Sequence, residues 1–256
     1  MQFFLKIISS LLKIENIFIN KLTILTYHSV SDGSTPLSVK TENFDEQMKF
    51  MKENFNVLDA GSFSALLKNR NSPLSKSALI TFDDGFEDVF LNALPILKKY
   101  SLSAIVFVNP YYVGKKASFA TRTEDKDRGI CSLEQLRGLA KNSVAIANHG
   151  FHHKPMASLS EEEMGSEFLK TKEWIDTSFD SNKFPLLFVF PKGSYNENVL
   201  RVLNEVGAEA ITVKRLDIYP DWGIEYFALN LSFVFAGVKK LVKFIKGIIN
   251  PALFKD

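Results

Sequence analysis

The segment SALITFDDGFED, residues 77–88, decides the fold, because an apolar run ends there in two adjacent carboxylates and a glycine. The run predicts a strand that is buried on both faces. Successive side chains of a strand point to opposite faces, so Asp83 and Asp84 reach one site only if the chain leaves strand geometry. Gly85 favours such a bend. Ordinary turn chemistry also accounts for DDG, but its position after a predicted strand favours a functional site.

Short apolar runs recur along the chain and alternate with helical patterns. This alternation predicts βα units around a mostly parallel sheet, and therefore an α/β fold. Seven runs suit a (β/α) barrel. The candidate strands are residues 22–28, 77–82, 103–109, 144–148, 186–190, 209–213 and 227–235.

Local signals place several helices between these strands. Apolar residues at helical spacing form one stripe: Phe44, Met48, Met51 and Phe55. Capping boxes predict two helix starts, one at Ser132 with Gln135 and one at Ser160 with Glu163. Gly207 is expected to end the helix that begins near Asn198. No internal repeat or linker divides residues 21–236, which we expect to form one domain.

Composition excludes some functions. The 256 residues carry 31 basic and 29 acidic side chains, a formal net charge of +2. Such a small charge provides no global field for nucleic acid, so we expect no nucleic-acid partner. Cys131 is the only cysteine, which rules out an intrachain disulfide and fits a reducing compartment. We expect a cytoplasmic location; the alternative is a secreted protein without disulfides.

The two ends of the chain are apolar and contain lysines at helical spacing. Residues 1–20 predict an amphipathic segment, without the basic start or the cleavage site of an export signal. Residues 237–256 predict a basic amphipathic tail, with five lysines and one aspartate. Both segments suit peripheral contact with the anionic inner membrane face. The alternative is that both pack on the domain with their lysines in water.

The second candidate site is ANHGFHHKP, residues 147–155, which follows another predicted strand and holds three of the four histidines. His149 and His153 are four residues apart, a spacing that lets two imidazoles bind one ion. A single histidine is more often structural, but this cluster favours a metal site. Two imidazoles and one carboxylate with open positions are typical of catalytic metal sites.

These motifs carry a family resemblance. LITFDDGFEDVFLNALPILKKYSLSAIVFV followed by IANHGFHHKPMASLS resembles the polysaccharide deacetylase family, whose domain is similar to that of nodulation chitooligosaccharide deacetylases. The resemblance extends over residues 22–234. It implies a distorted barrel of about seven βα units, a divalent metal such as zinc, and hydrolysis of an N-acetyl group on an amino sugar.

The resemblance also implies residue roles. Asp83 is expected to be the general base, and the metal ligands are expected to be Asp84, His149 and His153. Metal ions activate bound water and polarise carbonyl oxygens, while a nearby carboxylate removes the proton. In FPKGSY, Lys192 occupies the position whose backbone N–H stabilises the oxyanion in the family.

Two departures from the family pattern affect these roles. The arginine that usually precedes the third motif is absent, since FVFPKG has Val189 and Phe190 there. The orienting partner of Asp83 is therefore not identified. The late histidine that protonates the leaving amine is also missing, because no histidine follows His153.

The candidates for the general acid are then His28 and His152, because the other two histidines are the expected ligands. His28 ends the first predicted strand, on the same rim as the site. His152 lies between the ligands, where alternation can point it away. We expect His28 to be the acid; the alternative is a structural histidine.

Three functions fit the sequence. The first is metal-dependent removal of N-acetyl groups from a polysaccharide or glycan precursor. The second keeps the chemistry but acts on a lipid-linked sugar, acetylated or formylated, at the membrane surface. The third is a degenerate barrel that binds glycan or membrane without turnover, which the missing arginine and late histidine would suit.

Overall fold

The computed structural model describes residues 22–33, 35–68, 76–179, 183–210 and 216–218. The predicted terminal segments 1–20 and 237–256, and the candidate strand 227–235, lie outside these residues. The membrane contact and the domain limits stay predictions. No helix in the described ranges is both long and apolar enough to cross a bilayer.

Ten strands and seven α-helices form the described fold. The strands are β1 Thr23–Tyr27, β2 Ser29–Val30, β3 Ser38–Val39, β4 Asn56–Val57, β5 Ser77–Phe82, β6 Ala104–Val108, β7 Val144–Asn148, β8 Lys183–Phe188, β9 Glu209–Ala210 and β10 Leu216–Asp217. The helices are α1 Thr41–Asn54, α2 Ala60–Lys68, α3 Leu94–Tyr100, α4 Thr123–Lys126, α5 Leu133–Ala140, α6 Glu161–Ser178 and α7 Glu197–Glu205. A π-helical turn, Val89–Ala93, leads into α3.

The main sheet is parallel and confirms the predicted α/β class. Its order is β10-β1-β5-β6-β7-β8-β9, and β4 pairs with β5 outside that path. Among the described strands no pair joins β9 to β10, so the path is an open, barrel-like sheet. Parallel order brings the carboxyl ends of all these strands to one rim, where α/β proteins place their sites.

The sheet is covered on both faces, which is why its strands read as continuous apolar runs. Strands β1, β5, β6 and β7 are buried along their whole length. On β5, Ile80 belongs to the core cluster that includes residues of α1, α3 and α5. The preceding residue, Leu79, belongs to the cluster on the other face with Phe63 of α2. The alternation of side chains thus divides one strand between two cores.

The predicted ends of most helices and strands agree with those in the structure. Both capping boxes are present, at Ser132 and Ser160. Gly207, with φ of 80°, follows α7. Strand β8 begins at Lys183, three residues before the predicted run. Strand β10 was not predicted, because the two residues that pair with β1 are too few to give a periodic pattern.

Candidate metal centre

The predicted site residues meet in one cleft of about 560 Å³ at the carboxyl rim of the sheet. His28 follows β1, Asp83 and Asp84 follow β5, and His149 follows β7. The cleft is lined by His28, Pro36, Leu37, Asp83, Asp84, Phe119, Ala120, Thr121, Arg122, Asp125, His149, His153, Phe190, Lys192, Gly193 and Ile218.

The chain leaves strand geometry at Asp84, as the two carboxylates require. The backbone N–H of Asp83 still donates to the carbonyl of Tyr27 on β1, at 2.9 Å. Asp84 and Gly85 then adopt left-handed φ values of 69° and 71°. The bend therefore begins one residue earlier than glycine chemistry alone predicts, and both carboxylates line the cleft.

The histidine loop is held by buried hydrogen bonds. The side-chain amide of Asn109, at the end of β6, donates to the carbonyls of His149 and Gly150 at 2.5 and 3.0 Å. The Nδ1 atom of His149 lies 2.8 Å from the carbonyl of Val189. Because a carbonyl only accepts, this nitrogen carries the proton and the ring is fixed with Nε2 toward the cleft.

Three buried side chains offer atoms to one point. Oδ1 of Asp84 lies 3.4 Å from Nε2 of His149 and 3.2 Å from Nε2 of His153. One donor atom from each of the three side chains lies within 4.8 Å of the others. The sequence placed these residues at one rim, and the structure brings them into one cluster.

Electrostatics in the cluster suit a cation. Burial alone would raise the pKa of Asp84, but the neighbouring His149, His153 and His28 lower it, so the carboxyl stays ionised. Burial lowers the pKa of His153 to about 4, which leaves a neutral imidazole at neutral pH. Burial opposes a charge on His149 as well, yet contact with Asp84 and the charge of Asp83 raise its pKa. Metal binding would require His149 in its neutral form, with Nε2 unprotonated.

The residues fit a divalent metal. Oδ1 of Asp84 is buried without a hydrogen-bond partner among the described residues, and such an orphaned acceptor is costly unless something binds it. Two imidazoles with one carboxylate are a usual zinc donor set, with positions left for water or substrate. Three side chains on two loops are thus arranged to hold one ion.

The two histidines outside the candidate ligand set, His28 and His152, lie in different surroundings. His28 lines the cleft and lies near enough to Asp84 to affect its pKa. The ring of His152 turns the other way: its Nδ1 lies 2.6 Å from Oε1 of Glu167, and its backbone N–H donates to Oε2 at 2.7 Å. Glu167 of α6 is buried and thus fixes the loop between the two histidine ligand candidates. Sequence reasoning missed it, because a glutamate in a helix gives no such signal.

Lys192 lies in a strained turn at the cleft. Its φ is 56°, and Gly193 follows with 62°. Of the six non-glycine residues with positive φ in the described ranges, three line the cleft: Asp84, His153 and Lys192. Such strain costs about 1–3 kcal/mol per residue and gathers at functional sites.

A charged network supports the wall of the cleft beside His28. Arg128 contacts Asp88 at 2.6 Å and Asp125 at 2.9 Å, and it also donates to Ser29, the residue after His28. The network ties the loop after β6 to the β1–β2 segment.

Comparison with known proteins identifies the family of the chain. The sequence profile of the polysaccharide deacetylase family matches residues 70–211, more than half of the chain. The chain is 31% identical to YxkH of Bacillus subtilis, a protein named for the same family, over 188 residues, 73% of this chain and 62% of the relative. It is 25% identical to a poly-beta-1,6-N-acetyl-D-glucosamine N-deacetylase of Staphylococcus aureus over 182 residues, 66% of this chain and 59% of the relative.

Solved structures show the same fold. The Streptococcus pyogenes deacetylase PplD, solved in complex with acetate, superposes with a TM-score of 0.67 and 22% identity, covering 82% of this chain and 98% of that one. The chain spans about three fifths of the length of the two curated relatives. The profile, the relatives and the fold agree: the chain belongs to the polysaccharide deacetylase family.

Proposed function

We propose that the protein is a metal-dependent amide hydrolase that removes N-acetyl groups from an amino sugar in a glycan. The observation that carries this proposal is the cluster of Asp84, His149 and His153 beside Asp83 in one cleft. The family membership supports the same reaction class.

The candidate ligands have a defined place in this chemistry. Asp84, His149 and His153 would hold the ion, which we propose to be zinc. When bound, a divalent ion polarises an acyl oxygen and lowers the pKa of water. The Val189 carbonyl holds the His149 ring, and Glu167 holds the loop between His149 and His153 through His152; such supporting contacts tune metal affinity.

Asp83 serves as the general base in this proposal. It is buried, lines the same cleft as the ligands, and precedes the ligand Asp84 by one residue. A carboxylate that is not committed to the ion can take the proton from water as it attacks the acyl carbon. The strained turn at Lys192 holds a backbone N–H at the cleft, and we assign it to the developing oxyanion.

His28 is the proposed general acid. Of the histidines outside the ligand set, it is the one that lines the cleft, while His152 is bonded to Glu167. A protonated imidazole there would donate to the leaving amine and release a free amino sugar and acetate. Removal of a general acid costs about 10²–10⁴-fold in rate.

The test is release of acetate or formate by zinc-loaded protein from a panel of soluble and lipid-linked N-acyl sugars. We expect zinc-dependent acetate release from at least one N-acetylated glycan and none from the Asp83→Asn variant. Preferred release from lipid-linked sugars, or release of formate, would point to the membrane-surface alternative. Absence of bound zinc together with absence of turnover would support the non-catalytic barrel.

A further inference from the structure

The cleft carries two basic side chains that the proposed mechanism leaves unused. Lys192 and Arg122 both line it, and both are exposed to solvent. In the described part of the chain neither forms an ion pair with a carboxylate. Their charges are therefore available to a ligand in the cleft.

The charges of the side chains that line the cleft show that Lys192 and Arg122 are unusual neighbours for a cation site. The acidic residues that line the cleft are Asp83, Asp84 and Asp125. The charge of Asp125 is offset by Arg128, 2.9 Å away, and the other two carboxylates match a divalent ion. Lys192 and Arg122 repel that ion, so they add nothing to its binding. Their charge instead suits an anion.

Lys192 is held at the cleft by a defined turn. Gly193 N–H donates to the carbonyl of Phe190 at 2.9 Å, and Ser194 N–H donates to that of Pro191 at 3.1 Å. These bonds maintain the left-handed backbone of Lys192. Burial is the main cause of the lowered pKa of His153, and the positive charge of Lys192 contributes to it. The Lys192 ammonium therefore lies close to the candidate ligands.

Arg122 comes from a different loop, which is also anchored. Phe119, three residues earlier, contacts the His153 ring with 4.4 Å between ring centroids. The carbonyl of Arg122 accepts from the N–H of Asp125 at 3.3 Å, and Asp125 is fixed by Arg128. The two cations thus reach one cleft from separate supported loops, after β6 and after β8.

We propose that Lys192 and Arg122 bind a phosphate or carboxylate group of the substrate, so that the preferred substrate is an N-acetylated glycan with a negative charge near the acetamide. This rests on the proposed deacetylation. Arginine and lysine are the side chains that bind such anions through charge-assisted hydrogen bonds. A cleft of about 560 Å³ is in the size range of small-ligand sites.

The test compares matched N-acetylglucosamine oligosaccharides that are neutral, phosphorylated or carboxylated, using zinc-loaded protein. We expect kcat/KM to favour an anionic form by about tenfold, through KM, since one charge-assisted contact is of that order. The preference should shrink as salt rises from about 0.05 M to about 0.5 M, because the Debye length shortens. The phosphorylated and carboxylated forms distinguish the two sources of charge.

Single substitutions test which side chains cause the preference for an anionic substrate. Arg122→Gln and Lys192→Gln should each reduce the anionic preference by about threefold, and the double variant should remove it, while Lys98→Gln, an exposed lysine of α3 away from the cleft, should retain it. Equal KM values for neutral and anionic substrates, insensitive to salt, would overturn the inference.

A binding assay separates this inference from the proposed function. Calorimetry with the Asp83→Asn variant measures affinity for the phosphorylated and carboxylated oligosaccharides without turnover, and we expect Arg122→Gln to weaken it in that background. If acetate is released with no charge preference, the inference fails and the deacetylase assignment stands. If anionic glycans bind through Arg122 but no substrate releases acetate, the deacetylase assignment fails.

Discussion

The Nε2 atom of His149 lies 3.4 Å from Oδ1 of Asp84, although the two residues follow strands that are separated in the sheet by β6. The contact forms because the left-handed backbone of Asp84 turns its carboxylate along the rim, while the Val189 carbonyl holds the opposite edge of the imidazole. Two independent constraints thus converge on one point, as a metal site requires.

Removal of the Asp84 carboxylate should strongly weaken metal binding. Asp84→Asn replaces a charged ligand by a neutral amide, and we expect zinc affinity to fall by at least about 100-fold, since the change removes a ligand itself and supporting contacts alone are worth 10–100-fold. Zinc content after dialysis against a competing chelator measures the loss. Asp127→Asn, an exposed carboxylate paired with Lys116, should retain full zinc content. Stoichiometric zinc in Asp84→Asn would contradict the ligand assignment.

Glu167 should affect the metal without touching it. Glu167→Gln weakens two contacts to His152 and loosens the loop between His149 and His153, so we expect about tenfold weaker zinc binding. Competition with a chromogenic chelator gives the affinity. Glu162→Gln, an exposed glutamate of the same helix, is the control and should bind zinc as wild type does. Unchanged affinity in Glu167→Gln would show that the loop does not need this support.

His28 and His152 should differ in catalysis. His28→Gln should lower kcat by about 100-fold or more while zinc content stays stoichiometric, because a general acid is lost. His152→Asn should lower kcat far less, because its ring bonds Glu167 outside the cleft. Single-turnover acetate release with both variants measures the difference. A normal rate in His28→Gln would show that another group is the general acid.

Gly85 should be sensitive to a single methyl group. Its φ is 71°, and an added Cβ would lie 3.3 Å from Cγ1 of Val108. We expect Gly85→Ala to lower the free energy of unfolding by about 1–2 kcal/mol through left-handed strain. Gly165→Ala lies inside α6 with its nearest contact at 4.0 Å, and should be neutral or stabilising. Urea unfolding of the two variants provides the comparison, and equal stability would refute the strain at Gly85.

Cys131 should be inert in the native protein. Burial raises the pKa of its thiol to about 12, and the thiolate is the nucleophile, so almost none reacts at pH 8. We expect a thiol reagent to label it only after denaturation. Rapid labelling of the folded protein at pH 8 would show that the segment after β6 opens readily.

The sequence predicted what depends on local pattern. The buried run before Asp83, the capping boxes at Ser132 and Ser160, and the spacing of His149 and His153 all have signatures in neighbouring residues. Contacts between distant segments have none. The Val189 carbonyl on His149, and Glu167 on His152, arise from the packing of β8 and α6 against the histidine loop, so only the structure reveals them.

The most direct test of the metal centre is anomalous diffraction at the zinc absorption edge from crystals of zinc-loaded protein. We predict one peak bound by Oδ1 of Asp84 and Nε2 of both His149 and His153, at zinc–ligand distances of about 2.0–2.2 Å. A zinc peak on other residues, or none in the cleft at full loading, would contradict it.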